Sequence, residues 1–160
     1  TFAVHKLWWH YSAFIYSVPA FLHISGWLAR EVYLVSAWIN MHILGMDIRL
    51  AEGNTMIFLK NNYSIFINES CSGFKQMFQI LILFLLFPGP WKQKTWFIPA
   101  CIVAMFFVNV IRVIGLSYAM IWSPQHWDFI HLWIMRPFYY VAIFAMWVVW
   151  VERFREVKSA

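Results

Sequence analysis

Three residues of different chemical type stand where catalysis would want them: Cys71, Arg112 and His131. Cys71 lies in Glu69-Ser70-Cys71-Ser72-Gly73, just before an apolar run that reads as a helix. At a helix N-terminus the unpaired amides and the helix dipole favour a thiolate, the nucleophilic form of cysteine. Arg112 lies deep in another apolar run, and a guanidinium within a membrane span is a functional candidate by default. Asn109, three residues earlier, shares its helix face and is placed to hold it. His131 opens the last apolar run, three residues after Asp128. Together these are a nucleophile, an oxyanion stabiliser and a proton-transfer group, with Asn109 and Asp128 as supporting residues. Each also has a plainer reading. A cysteine in such a chain is commonly a small buried hydrophobe, which fits Cys101. An arginine can snorkel to headgroups, a histidine can be merely interfacial, and Asp128 can be a helix N-cap.

Composition says which solvent positions these groups. Of 160 residues, 62% are hydrophobic and only 12% charged, about half the charge of a soluble domain. A fold this apolar calls for a bilayer, and the eleven tryptophans suit its interfaces. The formal charge of +5 is spread thinly, so no nucleic-acid surface is expected. Two cysteines without a CxxC motif exclude a disulfide framework and a thioredoxin-like centre. Neither a metal nor a cofactor is expected.

The fold class that follows is an all-α membrane protein, a single domain of about five transmembrane helices with one extracytoplasmic β-hairpin. A span needs about 20 apolar residues. The segments 7–25, 27–44, 73–87, 95–120 and 129–151 qualify or come close. The first apolar stretch reads as a resident helix that ends at Gly26. The third stops at Pro88-Gly89-Pro90, a strong breaker. Residues 47–70 read as a β-hairpin, with strands 55–60 and 63–68 joined by a tight turn at Asn61-Asn62.

Loop cations orient the chain. Lys92, Lys94, Arg153, Arg155 and Lys158, with the 26–30 turn, mark the cytoplasmic side, so the hairpin faces outward. Arg112 comes 17 residues after Thr95, about 26 Å along the helix, in the outer third of a core about 30 Å thick. Cys71 and His131 both begin helices that enter from outside. Three reactive side chains from three segments therefore share one depth.

The strings Glu-Ser-Cys-Ser-Gly-Phe (69–74), Asn-Val-Ile-Arg-Val (109–113) and Asp-Phe-Ile-His (128–131) resemble the signature blocks of the exosortase/archaeosortase family. The resemblance covers roughly residues 65–150, with the blocks in the same order on successive helices. It implies a membrane thiol protease or transpeptidase with Cys71, Arg112 and His131 as catalytic residues. The implied partners are secreted proteins bearing a C-terminal sorting signal: a short motif, a hydrophobic helix and a basic tail. The implied location is the cytoplasmic (inner) membrane, active site outward. Two rival readings stand beside it. A haem-binding electron carrier would use His10 and His23, 13 residues apart on the first helix, with His42 on the neighbouring helix level with His10. A two-haem version fails because His5, His126 and His131 all lie outside and leave His23 unpaired, whereas a one-haem version stays open. A non-catalytic scaffold would leave Cys71 unreactive.

Overall fold

The computed structural model describes residues 18–154. The greater part of the expected 7–25 segment falls outside that range, as do His5, Lys6, His10, Arg155 and Lys158.

Pro19 opens helix α1 (Pro19–His42), where its fixed φ suits the first helical position. The helix passes through Gly26 without a break, so the expected boundary between segments 7–25 and 27–44 is not formed. The reason is a buried stripe that ignores the glycine: Ser25, Leu28, Ala29, Val32, Tyr33, Ser36, Ala37 and Asn40 recur at helical spacing. One glycine costs such a helix only about 1 kcal/mol, less than the packing along that stripe.

The sheet has three antiparallel strands in the order β1 (Ile48–Ala51), β2 (Thr55–Phe58) and β3 (Ser64–Phe66). The expected two-stranded hairpin is therefore a meander. Its second turn falls at Asn61-Asn62 as read from the sequence, with Asn62 at φ 57°. The additional strand pairs Leu50 with Met56 and Ala51 with Thr55. It went unread because Ile-Arg-Leu-Ala is too short to show a period of two. Met56, Phe58, Ile65 and Ile67 pack against Ala29, Val32 and Ala37 of α1.

Helix α2 (Phe74–Leu86) matches the expected 73–87 segment and ends where Pro88-Gly89-Pro90 forbids continuation. Its 13 residues reach only about 20 Å. Helix α3 (Trp91–Trp122) is longer than the expected 95–120 span, and α4 (Pro124–Phe154) longer than 129–151. Among the described residues these two are long and apolar enough to cross a membrane, and α2 is a shorter apolar helix. The fold is thus mostly helical with a small sheet.

Helix α3 is the centre, with α1, α2 and α4 packed against it. At the end away from the sheet, Phe84, Phe97, Trp150 and Phe154 form one aromatic cluster. Lys94, counted among the loop cations, is buried there and donates to the carbonyls of Leu85 (3.1 Å) and Phe87 (2.8 Å), closing the end of α2. Helix α1 stays toward the opposite, sheet-bearing end. Phe21 packs on Phe74 and Phe78 at the start of α2, Tyr33 donates to Thr55 O, and Asn40 donates to Ser117 Oγ at 3.0 Å. Arg30, expected at a turn on the far side, lies within this helix instead.

Candidate functional site

The segment before α2 is fastened residue by residue. Glu69–Cys71 forms one 3₁₀ turn between sheet and helix. Ser72 is fully buried; its hydroxyl donates to Glu69 O (2.6 Å) and accepts from the Phe74 N–H (3.1 Å). That capping satisfies an amide the helix leaves open. Gly73 sits at φ 79°, and a Cβ there would meet Asn109 Nδ2 at 3.1 Å. Glycine is thus required twice, for a left-handed backbone and for the approach of Asn109, whose amide donates to Cys71 O at 2.8 Å. Gly73→Ala should cost roughly 1–2 kcal/mol from the backbone alone and displace Asn109. A thermal unfolding midpoint equal to wild type in detergent would refute this account of Gly73.

On α3, Asn109 and Arg112 lie three residues apart and both are buried. Arg112 Nη2 lies 2.9 Å from His131 Nε2, and Nη1 donates to Tyr139 Oη at 3.3 Å. The guanidinium carbon sits 5.2 Å from the centre of the Tyr139 ring. The Tyr139 hydroxyl in turn donates to Asn109 Oδ1. A continuous polar chain therefore runs His131, Arg112, Tyr139, Asn109, Cys71 carbonyl. Cys71 is half-buried, and its thiol lies near enough to Tyr139 to interact with it electrostatically.

Helix α4 reaches this chain twice because it is not a regular helix. Eight residues of α-helix overshoot two turns by about 80°. Ile130–Ile134 form a π-helical turn, which takes up an extra residue and returns His131 and Tyr139 to one face. Trp127 stacks on the His131 ring, centroids 5.7 Å apart and planes 10° apart, which fixes the imidazole plane.

Two chemical consequences follow. An arginine can only donate, so His131 Nε2 must accept; the imidazole is neutral, with its proton on Nδ1. Arg112 is only 6% exposed, its Nε has no partner, and no carboxylate pairs with it among the described residues. A buried cation without a counter-ion strongly favours any negative charge that forms beside it.

The structure thus brings Arg112, His131 and Asn109 together and holds Cys71 through its carbonyl. Asp128 is separate: it is exposed, makes no hydrogen bond to His131 among the described residues, and acts on it only through its charge. Nor is Asp128 the N-cap of α4, since Ser123 holds that position and Asp128 lies inside the helix. Tyr139 is the residue that sequence reasoning missed. A tyrosine deep in an apolar helix needs a partner for its hydroxyl, and that was the available signal. Cys101 is buried among Met105, Phe97 and Ile98, as a packing thiol would be. His23 and His42 share α1 instead of neighbouring helices, and His42 is occupied by Trp38 O at 3.1 Å.

Against known proteins, residues 3–151 match the family model described as Transmembrane exosortase (Exosortase_EpsH). No curated protein and no solved structure matches the chain.

Proposed function

The chain belongs to the transmembrane exosortase family, and from that premise we propose that it is a membrane thiol peptidase or transpeptidase. Its substrates are secreted proteins carrying a C-terminal sorting signal of motif, hydrophobic helix and basic tail. The observation that carries the reading is the buried Arg112, without a counter-ion, linked on one side to His131 and on the other, through Tyr139 and Asn109, to the Cys71 segment.

The reaction begins as Arg112 swings its fork toward the substrate carbonyl and releases His131 Nε2, whose lone pair then takes the Cys71 thiol proton. The sulfur attacks the carbonyl carbon of the scissile peptide, forming a C–S bond. The carbonyl oxygen becomes an oxyanion, to which Arg112 turns its fork and its unpartnered Nε. Collapse breaks the C–N bond, and His131 returns the proton to the departing amine. Water, or an acceptor amine, then attacks the thioester and restores the thiol. Tyr139 and Asn109 are positioning residues that hold Arg112 and the Cys71 backbone in register.

The site faces outward from the cytoplasmic membrane in this reading. Lys92, Lys94 and Arg153 gather at the end opposite the sheet, and such cations favour the cytoplasmic side. In intact cells Cys71 should react with a membrane-impermeant thiol reagent. A candidate secreted protein should form an adduct with the chain that hydroxylamine releases, as expected of a thioester. Processing that continues after Cys71 is alkylated would overturn the thiol mechanism, and an unreactive Cys71 would favour a scaffold.

A further inference from the structure

Two opposite charges, Asp47 and Lys60, line one open cavity of about 460 Å³ at the sheet end of α3. Among the described residues they form no ion pair with each other. Lys60 Nζ sits instead over the Trp122 ring, 3.7 Å from its centre. The walls are fastened: Leu59 N donates to Asp47 O at 3.0 Å, and Asn61 Nδ2 donates to Met120 O at 2.7 Å. Tyr118 stacks on Trp122, and both are more than half exposed. Below them on α3, Phe107 and Ile111 are also exposed, so an apolar stripe descends the span from the cavity. Tyr118 comes nine residues after Asn109, about two and a half turns, so the cavity lies on the other side of α3 from the Cys71 site.

We propose that this cavity binds a phospholipid whose headgroup carries both a phosphate and a primary ammonium. Lys60 takes the phosphate, Asp47 takes the ammonium, and an acyl chain lies along Tyr118, Ile111 and Phe107. Each charge then gains the partner that the other does not supply. Tyrosine and tryptophan at the end of a span mark headgroup depth. A quaternary ammonium fits less well, because it has no N–H to give Asp47 and the Trp122 face is already covered by Lys60. The volume lies within the range of about 300–1,000 Å³ usual for small-ligand sites.

The test uses the full chain, purified in detergent and exposed to an equimolar mixture of phosphatidylethanolamine, phosphatidylcholine and phosphatidylglycerol with the same acyl chains. Native mass spectrometry then counts the lipids retained. Wild type should keep one phosphatidylethanolamine per chain, preferred about tenfold over the others. Lys60→Gln should reduce retention about tenfold, and Asp47→Asn should erase the preference over phosphatidylglycerol. Both side chains are exposed, so neither substitution threatens the fold. Equal retention of all three lipids by wild type, or unchanged retention by Lys60→Gln, would overturn the site. Displacement of the lipid by an equal concentration of soluble glycerophosphoethanolamine would overturn the lipid assignment in favour of a soluble ligand.

Discussion

Cys71→Ala should abolish processing of a secreted protein with a C-terminal sorting signal, while the variant inserts and folds as wild type. The rate loss should be at least about a thousandfold, the scale seen when a nucleophile is removed from a thiol or serine site. Folding should survive because the structural contact of residue 71 is made by its carbonyl, which accepts from Asn109 and is unchanged in alanine. The thiol itself is half-buried and makes no hydrogen bond among the described residues. Cys101→Ala is the internal comparison. That thiol is 4% exposed within the apolar core, so its loss leaves a small cavity costing about 1 kcal/mol and should spare activity. Following processing by a mobility shift, alongside insertion and thermal stability, separates the two. Equal loss of activity in both variants would sink the claim that only one thiol is chemical.

Arg112→Lys should lower processing at least about a hundredfold, the usual effect of removing one oxyanion donor. If Arg112 merely anchored α3 to headgroups, lysine would serve, since both side chains snorkel. The surroundings of Arg112 argue otherwise. One planar fork donates to Tyr139 and meets His131 at once, while the same plane lies near the Tyr139 ring. A lysine offers a single tetrahedral nitrogen and loses the stacked plane. Buried without a carboxylate, it would also tend to shed its proton, and with it the charge an oxyanion needs. Substrate should still associate, because in the proposed reading most of its binding area would be the hydrophobic helix of its signal. A processing assay and a co-purification assay on this variant decide the matter. Wild-type turnover would remove Arg112 from the chemistry, whereas lost association with intact folding would move it to substrate docking.

The polar residues of the site were legible because each is anomalous where it stands. An arginine and an asparagine three residues apart within a long apolar run have to share a face, and the structure places Asn109 and Arg112 that way. A cysteine framed by small residues ahead of a helix likewise carries its meaning in its neighbours. Segment 73–87 was legible for a related reason, since proline stops a helix whatever surrounds it. Gly26 was misread because a glycine weakens a helix by an amount that long-range packing easily exceeds, and that packing involves residues far away in the chain. Strand β1 escaped because four residues show no period, and only pairing with Thr55–Phe58 makes them a strand.

Local sequence by itself therefore determined the membrane class, the stop after Leu86 and the face shared by Asn109 and Arg112, all consequences of composition or of short fixed spacings, while the family is carried by the likeness of three short blocks to known sequences. The tertiary structure alone decided that α1 runs unbroken along the sheet end and that Tyr139 closes the chain between Arg112 and Asn109. Tyr139 depends on a single π-helical turn at Ile130–Ile134. An α-helix and a π turn differ by one residue of register and very little in side-chain preference, so helical spacing read from the sequence points Tyr139 away from His131. What holds the turn is contact across helices, with His131 and Tyr139 both bound to one guanidinium.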